Sequence, residues 1–97
     1  MIRFEWDPAK ARANLRKHAV TFEDAMHVFD DPYAVFEQDR TGEGGELRWQ
    51  AIGLVSGCVV LLFAHTVRDE NKDETVRIIS ARRATRKERD CYDEART

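Results

Sequence analysis

The stretch ELRWQAIGLVSGCVVLLFAHTV, residues 46–67, decides the architecture. Glu46 to Val55 is an amphipathic β run and Cys58 to Val67 is nearly all apolar, with only Ser56-Gly57 between them. Two β runs joined by a two-residue link that contains glycine predict a hairpin, because the favoured tight turns need positive φ. Downstream, the acidic and polar stretch Asp69 to Glu74 reads as a loop and Val76 to Arg82 as a further strand. Upstream, Ala34 to Gln38 reads as a short strand. Strands that follow one another through short links predict an antiparallel meander.

The ends of the chain read as helices and one more strand. Thr85-Arg86-Lys87-Glu88 has capping-box spacing and opens a C-terminal helix with Glu88, Cys91, Tyr92 and Ala95 on one face. Thr21 to Asp24 has the same spacing, with Asp in place of Glu. It opens a helix whose apolar stripe is Phe22, Ala25, Met26 and Phe29, and Asp31-Pro32 ends it. Asp7-Pro8 pairs an N-cap with a first-turn proline, so a helix runs from there to about His18. Lys10, Asn14 and Lys17 share one face of it; Ala11, Leu15 and His18 form a less polar neighbouring face. Ile2 to Trp6 alternates as a half-buried strand does. The order is β-α-α-β-β-β-β-α, the α+β class: an N-terminal strand and two helices packed on an antiparallel sheet, with a C-terminal helix.

Composition bounds the rest. The chain has 97 residues, 42% hydrophobic and 35% charged, which fits one small globular domain over 1–97 rather than a disordered chain. Cys58 and Cys91 lack ligand or redox spacing and read as two free, buried thiols. Residues 1–6 do not read as a leader, no apolar run approaches a membrane span, and a reducing cytoplasm is expected. The net charge of −2 argues against generic nucleic-acid binding, but charge is uneven. Residues 1–47 carry 6 basic and 10 acidic side chains, whereas Arg77, Arg82, Arg83, Arg86, Lys87 and Arg89 lie close together with Glu88 alone opposing them. A positive patch on a near-neutral protein is the footprint of a phosphate-binding site, or else a solvated helix face.

Several residues could carry chemistry. Arginine presents a planar fork that matches phosphate oxygens, so Arg82, at a strand end beside a helix start, suits an anion site; its alternative is a surface ion pair. Strict alternation places Ile78, Ser80 and Arg82 on one strand face and Arg77, Ile79 and Ala81 on the other. Arg68 stands just past the apolar strand. His65 could exchange a proton near neutrality or simply close a buried strand. Tyr92 could do the same or pack its helix onto the sheet. Lys10 and Lys17 form a basic stripe or a solvated face. No phosphate loop, dinucleotide fingerprint, metalloprotease helix or nucleophile elbow occurs, so neither cofactor nor metal is expected.

The wording of the segments resembles one family. Phe4-Glu5-Trp6-Asp7-Pro8, Lys10, Asn14 and Lys17-His18-Ala19-Val20-Thr21-Phe22-Glu23 are similar to the opening of BrnT toxins. Glu46-Leu47-Arg48, Gly53 and His65-Thr66-Val67-Arg68 resemble its middle. Arg77-Ile78-Ile79-Ser80-Ala81-Arg82-Arg83-Ala84, Glu88-Arg89 and Tyr92 resemble its close. Ala19 stands where that family usually has glycine, which predicts a left-handed alanine strained by roughly 1 kcal/mol.

The resemblance implies a RelE-like fold, metal-independent RNA cleavage that arrests translation, and restraint by a BrnA-like antitoxin. Such an antitoxin is a ribbon-helix-helix DNA-binding protein; its dimerisation implies a heterotetramer that touches DNA only through the antitoxin. In such cleavage the ribose 2′-OH is the nucleophile, and preorganised positive charge stabilises the transition state. The expected charge stabilisers are Arg82 and Arg68, helped by Arg48 and Arg77. Tyr92 or His65 is the proton-transfer candidate, and Lys10, Lys17, Arg83 and Arg86 hold flanking phosphates. A binding module without cleavage, of the related ParE type or a co-repressor acting with its antitoxin, needs the same fold and patch.

Overall fold

The computed structural model describes residues 2–39, 48–70 and 73–96, with 39, 60, 61 and 63–70 described by their backbone alone. The elements are β1 (Ile2–Glu5), α1 (Pro8–His18), α2 (Phe22–Ala25), a 3-10 turn (Met26–Asp30) and β2 (Val35–Asp39). They continue with β3 (Arg48–Val55), β4 (Cys58–Glu70), β5 (Asp73–Arg83) and α3 (Arg86–Arg96). Five strands form one sheet in the order β1-β5-β4-β3-β2. The meander from β2 to β5 is antiparallel as expected, while β1 lies parallel to β5, from Ile2 opposite Glu74 to Glu5 opposite Arg77. The mixed α+β class of the sequence reading stands.

The β3–β4 hairpin turns where expected. Val55 pairs with Cys58, and both linking residues have positive φ, 48° at Ser56 and 83° at Gly57. That is the conformation whose twist suits a two-residue hairpin. The expected start of β3, at Glu46 and Leu47, lies outside the described residues. The loop expected over Asp69 to Glu74 is instead strand on both sides: Asp69 stands opposite Glu74 and Glu70 opposite Asp73. Continuing a formed ladder overrides the weak β propensity of acidic residues.

Helices cover both faces unequally. On one, Val20, Phe22, Ala25 and Val28 pack against Ala51, Val55, Leu62, Ile78 and Ala81. Phe4, Trp6 and Phe29 close around that core, with Trp6 meeting Phe22 edge-on at 5.8 Å. The second helix of the sequence reading winds into a 3-10 turn after Ala25. Its stripe still points inward, and it approaches β3 so closely that a Cβ on Gly53 would lie 2.9 Å from Val28 Cγ1. Glycine is required there by space. On the other face, α3 buries Tyr92 alone, against Ile52 and Val59.

Local signals behave as their chemistry dictates. Asp7 accepts a hydrogen bond from the Ala9 amide at 2.8 Å, capping α1. Thr21 accepts from the Asp24 amide at 3.0 Å. Ala19 takes the left-handed conformation, φ 58° and ψ 31°, and its amide donates to Leu15 at 2.9 Å. The cysteines are free, but both are exposed rather than buried. Tyr92 is the residue that α3 buries, so Cys91 beside it stays outside, and Cys58 follows directly on the hairpin turn.

Candidate functional site

Two side chains finish the sheet where its edge strands stop, and they set the geometry of the site. β1 pairs with β5 only as far as Arg77, which leaves the outer edge of β5 open beyond it. Asn14 of α1 fills that gap: it accepts from the Ala81 amide at 3.1 Å and donates to the Ala81 carbonyl at 2.8 Å. Its amide also donates to Val20 at 3.0 Å, which fixes the chain leaving α1. Asn14 is 7% exposed, so the polar stripe expected of Lys10, Asn14 and Lys17 is broken at its centre. A buried amide with every partner present is a substitute strand edge.

Asp31 does the same at the opposite edge. β2 pairs with β3 no further than Val35 opposite Ile52, and beyond it the Leu54 amide donates to Asp31 Oδ2 at 2.8 Å. The Tyr33 amide donates to Oδ1 at 2.9 Å. From the other face of the sheet the Tyr92 hydroxyl donates to Oδ2 at 2.5 Å. Burial pushes the Asp31 carboxyl up, but these three donors and nearby Arg96 outweigh it and hold it below the usual range. Burial, the bond to Asp31 and its negative charge all push the Tyr92 phenol up. Tyr92 is 1% exposed, so its hydroxyl is a clamp on α3 whose proton is committed to Asp31.

The arginines lie on the α3 face of the sheet. Alternation along β3 sets Arg48, Gln50 and Ile52 on that face and Ala51 and Val55 in the opposite core. In β5 the alternation expected from sequence is broken. Phe63 stands opposite Ser80 but Ala64 opposite Ile78, so Ile79 is an extra residue. The irregularity puts Ile78 and Ala81 together in the core and brings Arg77 onto the same face as Ser80 and Arg82. Arg48 lies one residue beyond the Trp49–Ala64 pair, and Arg77 stands opposite Thr66, two residues past Ala64. Arg48 and Arg77 are therefore at one end of the face, about two strand spacings or ~10 Å apart at the backbone. Arg82 stands five residues further along β5, roughly 16 Å away. At the backbone, Arg82 thus stands apart from Arg48 and Arg77.

Their surroundings differ as well. Arg82 is held in two-point fashion by Glu88: Nη1 to Oε1 at 2.7 Å and Nη2 to Oε2 at 2.9 Å. Glu88 Oε1 also accepts from the Thr85 amide at 2.8 Å while Thr85 Oγ1 accepts from the Glu88 amide at 3.3 Å, so the expected capping box forms. The Arg82 bonds hold the Glu88 carboxyl down at about 2, and Glu88 in turn raises the guanidinium. Arg77 makes a looser ion pair with Glu5 at 3.7 Å, with both side chains 40% exposed. Arg48 is the contrast: its Nε is buried and has no hydrogen-bond partner among the described residues.

The remaining candidates divide by position. Lys10 and Lys17 are exposed on α1, across the sheet from the arginine face. Arg83 and Arg86 are exposed beside the start of α3. His65 falls at the irregularity between Ala64 and Thr66, and Arg68 stands opposite Thr75. The side chains of both are outside the described ones. Sequence reasoning missed Asn14 and Asp31 as builders of the site. A buried amide at the centre of a basic stripe leaves no periodic trace, and Asp31 before Pro32 looks only like a helix stop.

Over residues 6–88 the chain matches the family model described as "Ribonuclease toxin, BrnT, of type II toxin-antitoxin system". No curated protein resembles the chain closely enough to count as a relative. The match takes in α1, the strands β2 to β5 and the Arg82–Glu88 pair that starts α3. With that sequence match over most of its length, the chain belongs to the BrnT family: it is a ribonuclease toxin of a type II toxin-antitoxin system, neutralised by an antitoxin.

Proposed function

We propose that this toxin cleaves RNA without a metal ion, by attack of the ribose 2′-OH, on the sheet face that carries Arg48 and Arg77. One observation carries the reading: the buried Nε of Arg48 lacks a partner among the described residues, on a face where Arg77 is at the same end and held only loosely. A buried donor with no acceptor is costly, and a phosphate oxygen is the acceptor that a guanidinium fits best. RNA brings its own nucleophile, so the protein need only hold the phosphate in line and offset the charge that builds on it. Arg48 and Arg77, with Arg68 from the strand between them, stabilise that charge. His65, in the same stretch of β4, exchanges the proton.

Arg82, tied to Glu88, serves a flanking phosphate and the orientation of α3. Arg83 and Arg86 extend the phosphate track from there, while Lys10 and Lys17, across the sheet, add only long-range attraction. Tyr92 keeps its clamp and takes no proton from substrate. The whole chain acts as one domain in the cytoplasm. A BrnA-like ribbon-helix-helix antitoxin restrains it in a heterotetramer, and DNA is reached only through that partner.

Purified protein incubated with RNA in excess chelator tests the reading. Cleavage that leaves 2′,3′-cyclic phosphate ends, and that a 2′-deoxy substitution at the cut site blocks, is expected. RNA left intact, or cleaved regardless of that substitution, contradicts it.

A further inference from the structure

Beside Arg48 the sheet carries a carboxylate and an amide that are bonded to each other. Glu37 of β2 stands opposite Gln50 of β3, and Gln50 Nε2 donates to Glu37 Oε2 at 2.9 Å. Their neighbours Phe36 and Ala51 point the other way, Phe36 onto Phe29 and Ala51 into the core under α2. Alternation therefore puts Glu37 and Gln50 on the face of Arg48 and Ile52. Gln50 lies two residues along β3 from Arg48, about 7 Å, and Glu37 one strand spacing, about 5 Å, to its side. Gln50 is half-buried and Glu37 exposed, so both are open to a ligand on that face.

A carboxylate is out of place on a face that holds phosphates. Glu37 repels the RNA backbone, and among the described residues no Lys or Arg pairs with it to cancel that charge. What it attracts is a hydrogen-bond donor, and unpaired bases of RNA carry donors on their edges. Gln50 narrows the choice of base. A carboxylate only accepts, so the amide nitrogen must face Glu37, and the orientation of the amide is fixed. One hydrogen of Nε2 is used; the second remains, next to the free acceptor sites of the carboxylate. The pair thus offers a donor followed by two acceptors. Guanine presents the complement along its Watson–Crick edge: the O6 acceptor, then the N1–H and N2–H donors. Adenine and cytosine put an amino group where the amide donates and a ring-nitrogen lone pair where the carboxylate accepts. Uracil turns its O2 towards the carboxylate.

We propose that Glu37 and Gln50 determine the base specificity of this toxin by reading an unpaired guanine next to the phosphate held at Arg48. The Glu37 carboxylate accepts from N1–H and N2–H, and the Gln50 amide donates to O6. Both side chains lie within the reach of one nucleotide from Arg48. They take no part in offsetting the charge on the phosphate; they choose which phosphate is presented. This recognition rests on the cleavage reading for the place of the cut, while the preference for guanine in binding stands apart from it.

The test uses the full-length toxin and short single-stranded RNAs with one guanine in an adenine- and cytosine-rich sequence. Single-turnover cleavage is one readout; the other is binding, by fluorescence anisotropy, of the same RNAs with every ribose 2′-OH replaced by hydrogen. Cleavage should fall beside the guanine. Inosine in its place keeps O6 and N1–H but lacks the 2-amino group, and should weaken both readouts about tenfold; adenine should weaken them about a hundredfold. 7-Deazaguanine, altered only on the edge turned away from the pair, should behave as guanine. Glu37→Gln, an exposed substitution whose folding is checked by thermal melting, should shrink the preference for guanine over inosine to about twofold or less. Equal cleavage and equal binding of the guanine and inosine RNAs overturns the proposal and leaves the cleavage reading intact. A guanine preference that survives Glu37→Gln, or is lost with 7-deazaguanine, also overturns it. If the parent cleaves no RNA yet binds guanine selectively, and Glu37→Gln removes that selectivity, the recognition stands and the cleavage reading alone fails.

Discussion

Replacing Tyr92 by Phe removes one oxygen and tests how α3 is held. The ring remains against Ile52 and Val59, so packing is unchanged. What is lost is the hydroxyl that donates to Asp31 Oδ2 at 2.5 Å. Hydrogen bonds to a charged acceptor are worth about 1.5–3 kcal/mol, and Asp31 keeps its Leu54 and Tyr33 donors, so about 2 kcal/mol should be lost. In a chain of this size that is a fall of roughly 10 °C in melting temperature. Urea unfolding should show a lower midpoint at unchanged slope. In an Asp31→Ala background the same substitution should cost almost nothing, because its partner is gone.

The difference should also depend on pH. Asp31 is held below its ordinary value of 3.8. A depressed carboxyl contributes stability that is complete above the unfolded value and lost as pH falls through the folded one. The gap between parent and variant should therefore close in acid. A variant within about 0.5 kcal/mol of the parent at neutral pH, or a full effect surviving Asp31→Ala, refutes the clamp.

Three further outcomes are expected. Asn14→Ala leaves the Ala81 amide and carbonyl and the Val20 carbonyl without their side-chain partner. It should lower stability by about 3 kcal/mol in a denaturant titration, more than removal of any exposed lysine on α1. Ala19→Gly relieves a left-handed alanine at φ 58°, so melting should rise by the equivalent of about 0.5 kcal/mol after the added freedom of the unfolded chain is subtracted. Glu88 titrates at about 2 instead of 4.5, so its pair with Arg82 contributes at most about 3 kcal/mol. That contribution is complete above pH 4.5 and fades towards pH 2, and Glu88→Gln should remove the dependence from an acid titration followed by circular dichroism.

Much of the fold is legible in the sequence because its signals are local. Asp7-Pro8, Thr21 with Asp24, Ser56-Gly57 and Thr85 with Glu88 each fix a cap or turn through bonds within a few residues, and each forms. What the sequence hides depends on contacts distant along the chain. Asn14 meets Ala81 and Asp31 meets Tyr92 across 67 and 61 residues, and no periodic pattern encodes either. The extra residue at Ile79 reverses the face assigned to Arg77, because a single bulge shifts every later side chain by one. The acidic stretch at Asp69–Glu74 reads as a loop by composition, whereas the ladder already formed between β4 and β5 carries Asp69, Glu70, Asp73 and Glu74 on as strand. The pair of Arg82 with Glu88 was open to sequence as an alternative, since the capping box already placed both residues at the start of α3.

The most direct test of the cleavage reading is the single-turnover rate of RNA cleavage by Arg48→Ala in chelator. Removing one preorganised positive donor from the charge that builds in the transition state should slow cleavage by about a hundredfold or more. Melting temperature and antitoxin affinity should stay at the parental values. A variant that cleaves as fast as the parent would show that the buried Nε of Arg48 awaits no phosphate.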